Sequence, residues 1–157
     1  MKRYIGVKII HAEPATNVEA AAIKDGCNVE AQRELYKKNR LPEKDGYRVK
    51  YPDGYESWSP KAVFEEAYRE CDCMTFGLAI EAMKKGHKAA RKGWNGKNQY
   101  IELATNISYV NAAGEVVNCE HEAIGNKAIA FVGTSGVQMG WLASQADMLA
   151  EDWMIVE

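Results

Sequence analysis

The stretch "TFGLAIEAMKKGHKAARKGWNGKNQYIELA", residues 75 to 104, decides the fold class because its periodicity changes midway. Phe76, Ala79, Ile80 and Met83 recur at i, i+3, i+4 and i+7, which is one face of an α-helix. Thr75 stands where an N-cap oxygen is wanted, Lys84 and Lys85 occupy the last turn, and Gly86 stands as the C-cap. After Gly86, "HKAARKGW" reads as a short strand, "WNGK" as a turn and "NQYIELA" as the returning strand. A helix followed by an antiparallel pair points to an α+β fold.

The same reading extends to both sides. "YVNAAGEVV" predicts a hairpin around Ala113-Gly114, and "KAIAFV" and "VQMGWL" predict strands joined by Gly133-Thr134-Ser135-Gly136. Val137, Met139 and Trp141 would share one strand face, and Ser144 and Asp147 have the spacing of an N-cap and the third residue of a short helix. Toward the N-terminus, "RYIGVKII" reads as an opening strand. Thr16 and Glu19 form a capping-box pair ahead of a helix stopped by Gly26, and "NVEAQRELYKKNR" is a second helix. "GYRVKYPDGYESWSP" is a hairpin turning at Pro52-Asp53-Gly54. Ser59 is read as the N-cap, with Pro60 at the first helical position, of "KAVFEEAYRE", whose Val63, Phe64, Ala67 and Tyr68 share a face. "CDC" at 71 to 73 closes this part. The expectation is two small α+β modules, residues 1 to 72 and 73 to 157, each of antiparallel strands and hairpins packed with short helices.

Hydrophobic residues make up 46% of the 157 positions, enough for packed cores, and the formal net charge is −2. Without a basic footprint, long nucleic acid is not an expected partner. No apolar run approaches the roughly 18 residues of a membrane span, and the N-terminus lacks the apolar segment of a secretory signal. Cys27, Cys71, Cys73 and Cys119 fit neither a disulfide framework nor a paired zinc ribbon, so they read as free thiols of a reducing cytosol.

Three constellations could carry chemistry. In "ARKGWNGKNQY", Arg91, Lys92 and Lys97 surround a turn whose backbone N–H groups and cations suit phosphate oxygens. Trp94 offers a flat face to a base and Asn95 can bond a base edge or sugar; the plain alternative is a charged hairpin with Trp94 in the core. In "WLASQADMLAEDW", residues 141 to 153, Trp141 precedes Ser144, Gln145 and Asp147 near a helix start. Such a start attracts anions and Asp147 can accept from ribose hydroxyls; the alternative is a helix cap followed by core packing of Met148, Leu149 and Trp153. "GTSG" is either a phosphate cradle or an ordinary turn. Catalytic signatures are thin: His11, His87 and His121 are scattered, and Cys119, His121 and Glu122 of "NCEHE" lack a second ligand pair. The composition therefore points to a ligand holder, with no catalytic residue, metal or cofactor expected.

Together, "MTFGLAIEAMKKGHKAARKGWNGKNQYIEL" and "WLASQADMLAEDW" resemble the phage-encoded Thoeris anti-defence proteins of the second type over residues 74 to 157. The resemblance implies binding of glycocyclic ADP-ribose signals or cyclic oligonucleotides without cleavage. It also implies homo-oligomers, commonly tetramers, acting in the host cell cytoplasm with pockets at subunit interfaces. Trp94 and Asn95 match that family's turn motif, and Trp141, Ser144, Gln145 and Asp147 its terminal motif; with Arg91 these are the expected ligand-binding residues. Residues 104 to 127 are longer than the link in minimal members. The N-terminal stretch resembles a small phage domain of unknown function named after a product of an N4-like phage. Two other readings stay open: a metal-assisted nucleotide hydrolase, and an interaction module using the hairpin aromatics Tyr47, Tyr51, Tyr55 and Trp58, unless the 60–70 helix covers them.

Overall fold

Capping chemistry places the helices of this computed structural model, which describes residues 1, 7 to 94, 98 to 118 and 126 to 157. Contacts divide the chain into two units, Met1–Arg69 and Glu70–Glu157. Among the described residues, five helices and ten strands in antiparallel sheets give an α+β fold.

In the first unit, strand β1 (His11–Pro14) precedes helices α1 (Asn17–Asp25) and α2 (Val29–Lys38), followed by β2 (Gly46–Lys50), β3 (Glu56–Pro60) and α3 (Lys61–Ala67). The Thr16–Glu19 capping box is formed in both directions and Gly26 closes α1 at φ +64°. The sheet runs β1-β2-β3, and Val18, Ala22 and Val49 are its buried apolar contacts with the helices. Three expectations are revised here. The described strand is His11–Pro14 and does not include residues 7 to 10: His11 already pairs with Lys50, the last residue of β2, so residues 7 to 10 run past the end of their partner. Residues 3 to 6 lie outside the described set. Ser59 is not a cap, because it is paired with Tyr47 inside the sheet; Pro60 takes the cap position and the Lys61 N–H donates to Asp45 at 3.1 Å. Trp58 does not share a face with Tyr47, Tyr51 and Tyr55, since it pairs with Arg48 on the opposite pleat. Helix α3 covers Tyr47, whose ring stacks on Phe64 at 4.2 Å, with Tyr68 stacked beyond at 4.9 Å, whereas Val63 faces solvent. Trp58 lies across Gly46, where any Cβ would sit 2.5 Å from the indole and 2.2 Å from the Ser59 carbonyl. Its own indole N–H donates to Ala15 at 2.9 Å.

The second unit holds α4 (Phe76–Lys84), β4 (Lys88–Arg91), β5 (Tyr100–Thr105), β6 (Ser108–Val110), β7 (Val116–Asn118), β8 (Lys127–Gly133), β9 (Gly136–Met139), α5 (Gln145–Met148) and β10 (Trp153–Val156). Its antiparallel sheet runs β10-β4-β5-β8-β9, with β6 and β7 forming a separate hairpin. Thr75 accepts from Leu78 and caps α4. Lys85 is the C-cap, one residue before the expected Gly86; Gly86 follows it at φ +90°, a left-handed position that favours glycine, and the Gly86 and His87 N–H groups return to Met83 and Ala82. Helix α4 packs across β10, β4 and β5. Met74, Ala79, Met83, Ala89, Ile101 and Trp153 form the buried core, with Phe76 and Ile80 against it. The terminal strand β10 is the element the sequence reading did not contain. It takes Trp153 into the core, while Leu149, expected to be buried, is 78% exposed.

The core residue Trp153 is 0% exposed, so Trp153→Ala should cost the second unit about 3–5 kcal/mol. In Gly46→Ala the new Cβ meets a backbone carbonyl, and the cost falls on the first unit. Thermal melts followed by indole fluorescence separate the two, since Trp58 reports the first unit and Trp94, Trp141 and Trp153 the second. Equal shifts of both signals in either variant would contradict this assignment.

Candidate ligand-binding site

The sheet brings the two ends of the second unit together at one place. Arg91, the last residue of β4, pairs in register with Trp153, the first of β10. Its guanidinium donates from Nε to Asp152 Oδ1 at 2.9 Å and from Nη1 to Asp147 Oδ1 at 2.9 Å. A longer contact joins Nη2 to Asp152 Oδ2 at 3.4 Å. The other Asp147 oxygen accepts from the Ser144 backbone N–H at 3.0 Å and from its hydroxyl at 2.6 Å. The Asp147 N–H returns to Ser144 Oγ at 3.2 Å, completing the capping box of α5. Finally the Trp153 indole N–H donates to the Asp147 carbonyl at 2.9 Å. A single chain of bonds thus runs from β4 through α5 to β10.

An aromatic group stands beside it. Trp94 turns back after β4, its N–H donating to the Arg91 carbonyl at 3.2 Å. Its ring meets Phe131, Trp141 and Trp153 edge-on at centroid distances of 5.3, 5.9 and 5.3 Å. Trp141 lies nearly parallel to Phe131 at 6.4 Å. Edge-on pairs of this kind add about 0.5–1.5 kcal/mol each beyond burial, so these rings are fixed in place. Trp94 and Trp141 are half-buried.

Of the expected site residues, Arg91, Ser144 and Asp147 are joined by hydrogen bonds, and Trp94 and Trp141 by ring contact. Arg91 is engaged by two carboxylates, and both Asp147 oxygens are engaged, so in this arrangement they hold the site together. Gln145 differs: it is exposed, and its amide makes no hydrogen bond to any described residue. Asn95 and Lys97 lie outside the described residues, as do Cys119, His121 and Glu122. Thr134 and Ser135 of "GTSG" are the exposed turn between β8 and β9. Val137 and Met139 do not share a buried face with Trp141. Gly140, at φ +75°, breaks the alternation and the Trp141 N–H bonds Ile129 at 2.9 Å. The sequence reading missed Asp152 and Phe131; an acidic residue directly before the Trp153 strand was the available signal for the first, and nothing local marked the second. Among the described residues Glu70, Asp72 and Cys73 are the group whose ligand atoms lie close enough for a metal ion, all exposed, with Asp72 paired to Lys92 at 3.1 Å.

Electrostatics follow from the geometry. Burial opposes the charged form of Asp147, but the Ser144 hydroxyl and Arg91 outweigh it and hold the carboxyl below its ordinary pKa. The Arg91 guanidinium lowers Asp152 in the same way against its burial, and Asp152 and Asp147 raise Arg91. A lowered folded-state pKa contributes stability that is full above the unfolded carboxylate value and is lost as pH falls through the folded value. The second unit should therefore lose stability below about pH 4. In Asp147→Asn, denaturant melts from pH 7 to pH 3 should show a lower plateau, by about 2 kcal/mol, and a shallower acid slope. An unchanged slope would contradict the Arg91–Asp147 pair.

The residues that build this site lie within a stretch that matches a known domain family. Residues 74–156 match the Thoeris anti-defense 2-like domain. The chain is also similar to "Thoeris anti-defense 2" of Bacillus phage SP01, 39% identical over 88 residues, covering 53% of this chain and 94% of that protein. Arg91, Trp94, Trp141, Ser144, Asp147 and Trp153 all fall inside the matched span, and through it this chain belongs to the Thoeris anti-defense 2-like family.

Proposed function

We propose that this chain is a phage anti-defence protein that binds cyclic nucleotide immune signals and sequesters them intact, so that the host effector is not activated. The signals are glycocyclic ADP-ribose isomers, with cyclic oligonucleotides as a second class. The observation that carries the reading is the family match over nearly the whole second unit. The geometry supports it: two half-buried tryptophans in mutual ring contact, and a Gln145 amide without a hydrogen-bond partner among the described residues, accompany a polar frame that is internally bonded. Rings and an amide are suited to a base, and a preorganised site avoids the ordering cost that otherwise erodes affinity. The chain acts in the host cell cytoplasm as a homo-oligomer, with a tetramer expected. Its partner is a small cyclic nucleotide rather than long nucleic acid or a membrane; no helix among the described residues is long and apolar enough to cross one.

Capture and release tests this directly. The purified chain is incubated with glycocyclic ADP-ribose isomers and cyclic di- and trinucleotides in the presence of divalent metal, filtered, then heat-denatured. Intact ligand should leave the filtrate and reappear after heating. Cleaved product would instead make the protein a hydrolase, and no depletion of any ligand would overturn the reading. Gln145→Ala should weaken capture about tenfold, or about 1.4 kcal/mol, with an unchanged melt. Normal capture by that folded variant would remove Gln145 from the site.

A further inference from the structure

The turn that follows β4 is tied to one residue. The Lys92 N–H donates to the Asp152 carbonyl at 3.1 Å, carrying the β4–β10 ladder one step past its end pair, Arg91 with Trp153. The Asp152 carboxylate reaches back to the same turn. Its Oδ1 accepts from Arg91 Nε at 2.9 Å, and a Cβ on Gly93 would lie 3.5 Å from its Oδ2, so that oxygen lies against the Gly93 peptide. The Gly93 backbone N–H helps to hold this carboxyl below its ordinary pKa. Trp94 comes next, its N–H closing the turn on the Arg91 carbonyl at 3.2 Å. Its ring meets Trp153, the chain neighbour of Asp152, edge-on at 5.3 Å. Backbone and side chain of Asp152 thus reach three consecutive residues, Arg91, Lys92 and Gly93, directly ahead of the Trp94 indole.

We propose that Asp152 is the positioning residue of the ligand site: without touching ligand, it fixes where the Trp94 indole stands relative to Trp141 and α5. Arg91 supplies the link. A guanidinium is planar, with its N–H groups in fixed directions. Nε is engaged by Asp152 and Nη1 by Asp147, so one rigid plane sets the separation of the two carboxylates. The first is attached to the Trp94 turn, and the second to the cap of α5. Both Asp152 oxygens are turned to this task, Oδ1 on Nε and Oδ2 on Nη2 at 3.4 Å. The rest of the frame does not depend on that carboxylate. Without it the Ser144–Asp147 capping box, the β4–β10 backbone pairs and the buried Trp153 all keep their own contacts. What is lost is the hold on the turn, and a ring that must be ordered during binding costs affinity. This inference rests on the ligand capture proposed above and names the residue that sets its strength.

Near-UV circular dichroism of the ligand-free full chain, paired with capture of glycocyclic ADP-ribose isomers, tests it. Asp152→Ala should keep its far-UV spectrum, lose the near-UV component that Trp94→Phe also loses, and capture about tenfold more weakly. Asp152→Asn is isosteric and keeps one accepting oxygen, so it covers the case where the alanine chain does not fold. It should fall between Asp152→Ala and the wild type on both readouts. Adding Asp152→Ala to Trp94→Phe should cost little more capture than Trp94→Phe alone, since both act through one ring. An unchanged ligand-free near-UV signal overturns the inference, even where capture weakens, because Asp152 would then be a ligand contact. A changed signal with normal capture overturns it as well. Absence of capture by the wild type is a different failure: it removes the proposed function, while the ligand-free spectra still decide whether Asp152 places Trp94.

Discussion

The guanidinium of Arg91 is the constraint on which the second unit turns. It sits at the end of β4, with 21% of its side chain exposed, and holds Asp147 of α5 and Asp152 ahead of β10. Neither carboxylate is local to it: the bonds span 56 and 61 residues. Removing either partner leaves a half-buried charge short of its hydrogen bonds, which costs far more than an exposed pair is worth. Because Asp147 also completes the α5 cap and receives the Trp153 indole N–H through its carbonyl, one ion-pair cluster fixes a helix start, a strand start and the largest buried side chain.

That cluster explains why aromatic and short polar residues crowd into residues 141 to 153. The aromatics are held by their mutual edge contacts, the polar groups by Arg91, and Trp153 belongs to both sets. Arg91, Ser144 and Asp147, expected from the sequence to face a ligand, also have an internal role as one another's hydrogen-bond partners. Ser144 and Asp147 satisfy each other, which is what capping residues do, and Trp94 packs into the cluster while keeping part of its surface. Gln145 stands outside this frame, an exposed amide on the first residue of a helix whose capping box is already complete.

Legibility in the sequence followed interaction range. Thr16–Glu19, Thr75, the Pro52-Asp53-Gly54 turn and Ser144–Asp147 were readable because each is a contact between residues at most a few positions apart. The α+β class and the strand pair flanking Trp94 followed from changes in periodicity. What escaped was set by pairing at a distance. The end of β2 at Lys50 decides where β1 begins, so residues 7 to 10, with Val7, Ile9 and Ile10, do not join the sheet. Strand β10 is only four residues, and its place beside β4 depends on Arg91 and on Met74 rather than on its own pattern. Asp152 and Phe131 joined the site for the same reason.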